Sequence, residues 1–568
     1  MNAIRVVAVL VLGLCCQAPV PAVAAEVYPL RWVYVSRSLT QDAQVEEIRR
    51  IVSTGAAHGL NGMLLSAGFD RMDLQPPAYF RRLEQVKEIC ARHKVEIIPI
   101  GFSVGYGDAV LDHNPNLAAG LPVKKAPFVV RAGEARLVPE RPNLIENGGF
   151  ETFGAAAATG YTLPDEWGAV ISRDTSIVKQ GGSSLRFENF SGHAPESAML
   201  GQVIRVKPYR QYRVSCWLKT EGLDSFKRFG SSRFRIEVIT TANGRRLQFL
   251  DPAVPTTTDW TKVVVGFNSW GYNEVLISPR AVGGSAGKIW IDDLRVEEVG
   301  LLNVLRRPGT PLEVRSARDG TIYREGADFA PVKDPHLDSL WTHEPPPIVI
   351  PAGSRIRDGE RLEVSYYHGA PVNRGQVSLC MSEQAVYRIW RTQLELIEQH
   401  LAPRRYFLSM DEVREGGSCK ACKDRKLTMG EIFADCVTRQ FKMIRSVNPQ
   451  AEVFVWSDQL DPNHNAGTRT GSYYYLVDGL FGGSWNHVPR DLVIACWWHK
   501  MRNSSLAHFS GLGFKTIGAS YYDADDLQNP KDWLESLDAT PGAIGIMYTT
   551  WLNKYKLLAG FGDLVSNR

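Results

Sequence analysis

An apolar strand pattern followed by a helical one recurs through the first hundred residues, stops, and resumes near residue 383 to run to the C-terminus. Arg31 to Arg37 carries Trp32, Val33, Tyr34 and Val35, and residues 41–58 then space Val45, Ile48 and Val52 along one helix face. Gly62 to Ala67 and Val95 to Gly101 read as the second and third strands, with a helix predicted over 78–93 on Leu83, Val86 and Cys90. Helical spacing returns at 383–400 through Val386, Ile389, Trp390 and Ile397. Five strand patterns follow, at Arg405–Glu412, Glu452–Asp458, Leu492–Trp498, Lys515–Tyr522 and Ala543–Trp551. Such alternation predicts parallel strands joined by crossover helices. Three strands before the gap and five after it make the eight of a complete (β/α)8 barrel.

Between the two halves the rhythm changes. Residues 143–299 show short alternating strands and many glycines without an amphipathic helix, the pattern of a β-sandwich. Residues 300–375 stay β-like and rich in Pro and Gly, with Pro345-Pro346-Pro347 as a stiff connector. The expected class is therefore α/β. A TIM barrel over 26–142 and 376–568 is interrupted after its third strand by a sandwich and a small β-rich segment. Barrels accept insertions in the loops that form their functional face, so the inserted parts are expected beside the site.

Residues 1–25 read as a secretory signal: Arg5, the apolar run Val6 to Leu14, then Ala22-Val23-Ala24-Ala25 for the peptidase. That run is too short to span a bilayer, so an exported protein (periplasmic or extracellular) without a membrane span is expected. The net charge of +4 is small for 568 residues and its cations are dispersed, which gives no footprint for nucleic acid. Of nine cysteines, Cys15 and Cys16 leave with the signal, and the rest are too sparse for a disulfide scaffold. Cys419 and Cys422 form one CxxC. Zinc would need two more ligands, and no second CxxC or HxxxH accompanies the pair, so a loop-stapling disulfide is expected.

Chemistry concentrates at the strand ends. Tyr406-Phe407-Leu408-Ser409-Met410 runs straight into Asp411-Glu412. Later runs finish in Trp456-Ser457-Asp458, Trp497-Trp498, Tyr521-Tyr522-Asp523 and Thr549-Thr550-Trp551. A lone Asp-Glu pair is usually a solvated loop. Several barrel strands that all end in acids and aromatics instead describe a mouth that handles sugars. His113 and Asn114, in the loop after strand three, and His464, after strand five, are either turn chemistry or substrate contacts.

Asn143-Leu144-Ile145-Glu146-Asn147-Gly148-Gly149-Phe150-Glu151 resembles the opening of carbohydrate-binding modules of the family 4/9 type. Trp167 after Pro164-Asp165-Glu166, Gly181-Gly182-Ser183-Ser184-Leu185, Tyr212 to Lys219 and Ile289-Trp290-Ile291-Asp292-Asp293-Leu294 continue the likeness in order. The resemblance implies a galactose-binding-like jelly roll. Trp270 and Tyr272, in a turn-like run, are the expected glycan contacts. A structural calcium near the first and last strands is also implied, with Glu151 and Asp293 as the matching acids.

The barrel half resembles family 20 glycoside hydrolases, the β-N-acetylhexosaminidases, through Asp411-Glu412, Val455-Trp456-Ser457-Asp458, Trp497 and Trp498, and Ser520-Tyr521-Tyr522-Asp523. The family's His-x-Gly-Gly segment is absent, with Phe407-Leu408-Ser409-Met410 in its place. The resemblance implies a cofactor-free hydrolase acting on a polysaccharide or oligosaccharide by a substrate-assisted route. Glu412 would protonate the leaving oxygen and an ionised Asp411 would orient the 2-acetamido group, whose carbonyl Tyr521 or Tyr522 would bond. Trp456, Trp497, Trp498 and Trp551 would wall the ring, and Asp458 and Asp523 would hold hydroxyls. Two alternatives stand beside it. One is a retaining glycosidase with Asp458 or Asp523 as nucleophile about 5–5.5 Å from the acid; the other is a polysaccharide-binding protein without chemistry. Neighbouring residues of a regular strand face opposite ways, so both acids reach one cavity only if the chain bends there.

Overall fold

The computed structural model describes residues 27–568 apart from 155–156, 164–166, 191–197, 225–233, 249–251, 253, 282–285, 373–375 and 468–475. The signal segment 1–25 and Pro164-Asp165-Glu166 lie outside the described residues. Eight parallel strands close into a barrel in chain order: β1 (Leu30–Ser36), β2 (Gly62–Ser66), β3 (Glu96–Gly101), β4 (Arg405–Leu408), β5 (Glu452–Trp456), β6 (Val493–Cys496), β7 (Lys515–Tyr521) and β8 (Ala543–Thr549). The ring closes where Leu30 to Val33 pair with Gly545 to Tyr548.

Side-chain alternation divides each strand between two cores. Trp32 and Tyr34 of β1 point into the barrel with Leu64, Ile98, Phe407, Phe454, Ile517 and Met547, while Val33 and Val35 face the helices. The interior is filled, not open: the Trp32 and Phe454 rings lie 4.8 Å apart. Gly62 is required beside Trp32, because a Cβ there would stand 2.3 Å from the indole.

The longer helices are α1 (Asp42–Ala57), α2 (Pro77–Arg92), α3 (Gln384–Leu401), α4 (Met429–Val447), α5 (Arg502–Gly511), α6 (Gln528–Asp538) and α7 (Leu558–Ser566). On α1, Val45, Ile48, Ile51 and Val52 are buried, at the 3–4-residue spacing seen in the sequence. Thr428 caps α4 reciprocally with Glu431, which fixes where the chain turns after β4. Between β5 and β6 the described residues form no α-helix, only short 3-10 turns at Asp458–Leu460 and Ser484–Asn486. Among the described residues, no helix is long and apolar enough to cross a membrane.

Within 143–299, two antiparallel sheets share one apolar core. One contains Gln202–Arg205, Phe234–Thr240, Arg246–Gln248 and Glu274–Ala281. The other contains Ile171–Asp174, Ser184–Phe187, Gln211–Glu221, Thr258–Asn268 and Lys288–Val299. A six-stranded sheet built around Arg361–His368 has its own core of Phe128, Val314, Ile348 and Val364. It differs from the sequence expectation in one respect. Leu121–Arg131 and Glu134–Leu137, expected within the first barrel segment, belong to this sheet through pairing with Arg361–His368. Long-range pairing decided their place, and no local pattern reports it.

Candidate functional site

The bend demanded by the acid pair is present. Leu408 ends β4, and Glu412 adopts a left-handed backbone with φ +50. That reversal lets Asp411 and Glu412 line one cavity of about 920 Å³ at the C-terminal ends of the barrel strands. Gly105, from the loop after β3, lies directly against the bend. A Cβ at that position would stand 2.2 Å from the Asp411 carbonyl oxygen.

The two carboxylates are held differently. Asp411 accepts the Ser409 hydroxyl at 3.1 Å. Burial, then the Glu412 charge, pushes its pKa up to about 7. Glu412 makes an ion pair with the buried Arg414 at 2.8 Å and accepts the Tyr106 hydroxyl. Burial first, then the charges of Glu412 and Asp411, raises the Tyr106 phenol well above its ordinary value, so it stays a donor. Arg414 also donates to the side-chain oxygen of Gln376, whose amide bonds the carbonyls of Gly105 (2.7 Å) and Glu412 (3.2 Å). The sequence expectation places the proton on Glu412 and the charge on Asp411; in the structure the raised carboxyl is that of Asp411.

Around the acids, Trp456, Trp497, Tyr522, Trp551 and Tyr34 form aromatic walls. Trp551 lies 5.1 Å from Tyr34 and 6.3 Å from both Trp456 and Tyr522, and Trp497 stacks on Tyr522 at 6.4 Å with ring planes 7° apart. Asp70 and Asp108 complete the polar lining. Asp70 accepts the backbone N–H groups of Phe102 (2.6 Å) and Ser103 (2.9 Å), yet burial lifts its pKa to about 6.

Other expected site residues stand elsewhere. Asp458 is fully buried under the pair, where its carboxylate accepts the Glu412 N–H at 2.8 Å and the Asn465 amide at 2.9 Å. It is absent from the cavity lining, and so is Asp523. Asp523 accepts the Thr550 hydroxyl and the N–H groups of Trp551 (2.8 Å) and Leu552 (3.2 Å), fixing the loop after β8. Neither presents a nucleophile or hydroxyl contact to the cavity. The run Tyr521, Tyr522, Asp523 is left-handed throughout (φ +80, +57, +61), and this turns Tyr521 away to stack on Tyr548 at 4.0 Å. Trp498 stacks on His464, whose ring also meets Trp497 edge-on at 4.3 Å. Trp498 and His464 lie outside the lining. His113 bonds Asp73 at 2.8 Å, and Asn114 caps the turn Pro115–Leu117. Neither lines the cavity.

In the sandwich, Trp270 is only 6% exposed and lies under the Arg245 guanidinium at 5.0 Å, so it is core rather than a glycan contact. Tyr272 is half-buried and takes the Asn243 amide at 3.1 Å. Glu151 accepts the Gly182 N–H through both oxygens, and Asp293 accepts Arg295 at 2.9 Å. Among the described residues, neither belongs to a cluster of three or more converging metal-ligand atoms.

Sequence reasoning missed Tyr106, Arg414, Gln376 and Asp70. Asp70 was findable: Gly68-Phe69-Asp70 follows strand two as Asp411-Glu412 follows strand four. Gln376 had no local signal, since it returns from the inserted segment.

Neither a family model nor a curated protein sequence matches the chain. Among solved structures, similarity is found to a CBM61 module in complex with β-1,4-galactotriose, at 17% identity and TM-score 0.20, over 28% of this chain and 99% of that one. A rhamnosidase from Novosphingobium is similar over 92% of this chain and 55% of its own, at 12% identity and TM-score 0.33. A β-N-acetylhexosaminidase from Bacteroides fragilis is similar over 33% of this chain and 41% of its own, at 14% identity and TM-score 0.23.

Proposed function

We propose that this chain is an exported glycoside hydrolase acting on a polysaccharide or oligosaccharide at the mouth of a (β/α)8 barrel, with the inserted sandwich as a glycan-binding module. The observation that carries the reading is the Asp411–Glu412 pair in a cavity walled by indoles, with Glu412 fixed by Arg414 at 2.8 Å and the Asp411 carboxyl raised by burial and by the Glu412 charge.

Glycoside cleavage needs a proton for the leaving oxygen and a negative charge beside the developing oxocarbenium ion. Asp411 supplies the first, since a general acid works best with a pKa near the working pH. Glu412 supplies the second, oriented by Arg414 and Tyr106. The aromatic faces position the sugar and exclude water. In the substrate-assisted version for 2-acetamido sugars, the same fixed carboxylate orients the acetamido group.

Turnover on a panel of polysaccharides and aryl glycosides tests the proposal, with wild type compared against Asp411→Asn and Glu412→Gln. Sugar release that persists unchanged in both variants removes the pair from catalysis. Glycan binding without release by the wild type favours a binding protein. Equal rates on an N-acetylglucosaminide and the matching glucoside reject acetamido participation.

A further inference from the structure

Three cysteines from two separate segments converge beside, not in, the cavity. The sulfurs of Cys380 and Cys419 lie 3.4 Å apart, Cys380 and Cys422 3.8 Å, and Cys419 and Cys422 3.6 Å. All three are buried free thiols. The expected disulfide between Cys419 and Cys422 is therefore not what the structure holds. The third sulfur sits 39 residues upstream of Cys419, outside the CxxC. Among the described residues, this is the group of three or more converging candidate ligand atoms.

The spacing suits a metal. A tetrahedral centre with zinc–sulfur bonds of about 2.3 Å places its sulfurs about 3.8 Å apart, close to the separations here. A disulfide needs about 2.05 Å and would leave one of the three unpaired. A second group points to the same place. Glu415 is fully buried, and both of its carboxylate oxygens lack a hydrogen-bond partner. Its electrostatic neighbours are Arg307 and Cys380. A buried, unpartnered carboxylate is among the costliest arrangements a fold can carry unless a cation or donor satisfies it.

We propose that Cys380, Cys419 and Cys422 bind one zinc-class divalent cation as thiolates, with a water in the fourth position donating to Glu415. On binding, each thiol proton passes to solvent, so loading releases protons. Soft sulfur donors select zinc-class ions over magnesium or calcium. The role is structural. Cys419 opens the helical turn Lys420–Lys423 a few residues after the acid pair, and the Cys380 N–H bonds the Leu117 carbonyl at 2.9 Å on the segment returning to α3. Arg307, from the inserted segment, bonds Glu383 at 2.9 Å on the same return. The cation would clamp the loop that carries Asp411 and Glu412 to the chain re-entering the barrel.

The test is elemental analysis of the whole mature chain, purified without metal-chelating resin. The wild type is expected to carry about one zinc per chain. Cys380→Ser should lose it, and Glu415→Gln should weaken it about 10–100-fold. Cys436→Ser, a buried cysteine outside the cluster, should keep it. Should Cys380→Ser fail to fold, cobalt(II) titration of the wild-type chain replaces it: a thiolate-to-cobalt charge-transfer band that alkylation abolishes supports the site, and no such band overturns it. Non-reducing peptide maps that find two of the three cysteines joined, or zinc well below one equivalent with all three thiols free, also overturn it. So does zinc content untouched by Cys380→Ser.

Discussion

The backbone N–H of Glu412 donates to the Asp458 carboxylate at 2.8 Å, tying the left-handed residue after β4 to the end of β5. The bond and the Asn465 amide both engage one oxygen of this fully buried acid. The bond to Glu412 makes Asp458 a positioning residue for the pair above it. Asp458→Ala leaves that N–H unsatisfied and should cost about 1–3 kcal/mol of stability, with a loss of turnover larger than the loss of fold explains. Asp458→Asn keeps an acceptor and should be milder on both counts. Urea unfolding beside steady-state kinetics separates the two effects, and equal behaviour of Ala and Asn variants would discard the role.

Replacing the acids themselves should act on chemistry. Asp411→Asn and Glu412→Gln are each expected to lower kcat about 10²–10⁴-fold, the usual worth of a positioned proton donor or its partner. KM should move far less. A variant that lost affinity while keeping kcat would assign its residue to substrate binding alone.

The pH dependence follows from the raised carboxyls. Asp411 lies at about 7 and Asp70 at about 6, and Asp458 is shifted the same way by burial and by Asp411. Each holds its proton more tightly folded than unfolded. Stability is therefore greatest at low pH on this account and is lost as pH rises from the ordinary carboxylate value of about 4 through the folded values. Denaturation midpoints measured at constant ionic strength should fall from about pH 5 to about pH 8. Asp411→Asn should flatten that slope. Turnover that depends on a protonated Asp411 should decline over the same upper range. A rise of both quantities with pH would contradict the assignment.

Gly105 offers a test of geometry alone. A methyl group there would stand 2.2 Å from the Asp411 carbonyl, and a backbone atom cannot yield cheaply. Gly105→Ala should displace the pair, and a shift of about 1 Å in a reacting group can cost about 100-fold in rate. Wild-type turnover in that variant would show that the acids need no such close backing.

Much of this was legible beforehand. Apolar runs placed all eight barrel strands, because buried parallel strands are continuous in Val, Ile, Leu and aromatics. The acid pair stood out since two carboxylates after such a run have no packing role. Orientation at the strand ends was not legible. Tyr521, Tyr522 and Asp523 are consecutive left-handed residues, so the period-two rule no longer says which of them meets the cavity. Tyr522 does, and its neighbours do not. Gln376 and Cys380 were hidden for another reason: each acts through partners that only closure of the chain brings near.

Glu415–Gly416, just past the acid pair, pairs in parallel with Leu476–Val477, and the Val477 carbonyl accepts Arg245 from the sandwich at 2.8 Å. Leu476 is itself part of the sandwich core. The inserted module is therefore packed against the segment that follows the acid pair and is not a pendant. Excising it would unroof Leu476 and strip the brace from the segment bearing the carboxylates, whereas a merely tethered module would leave hydrolysis of small soluble glycosides intact.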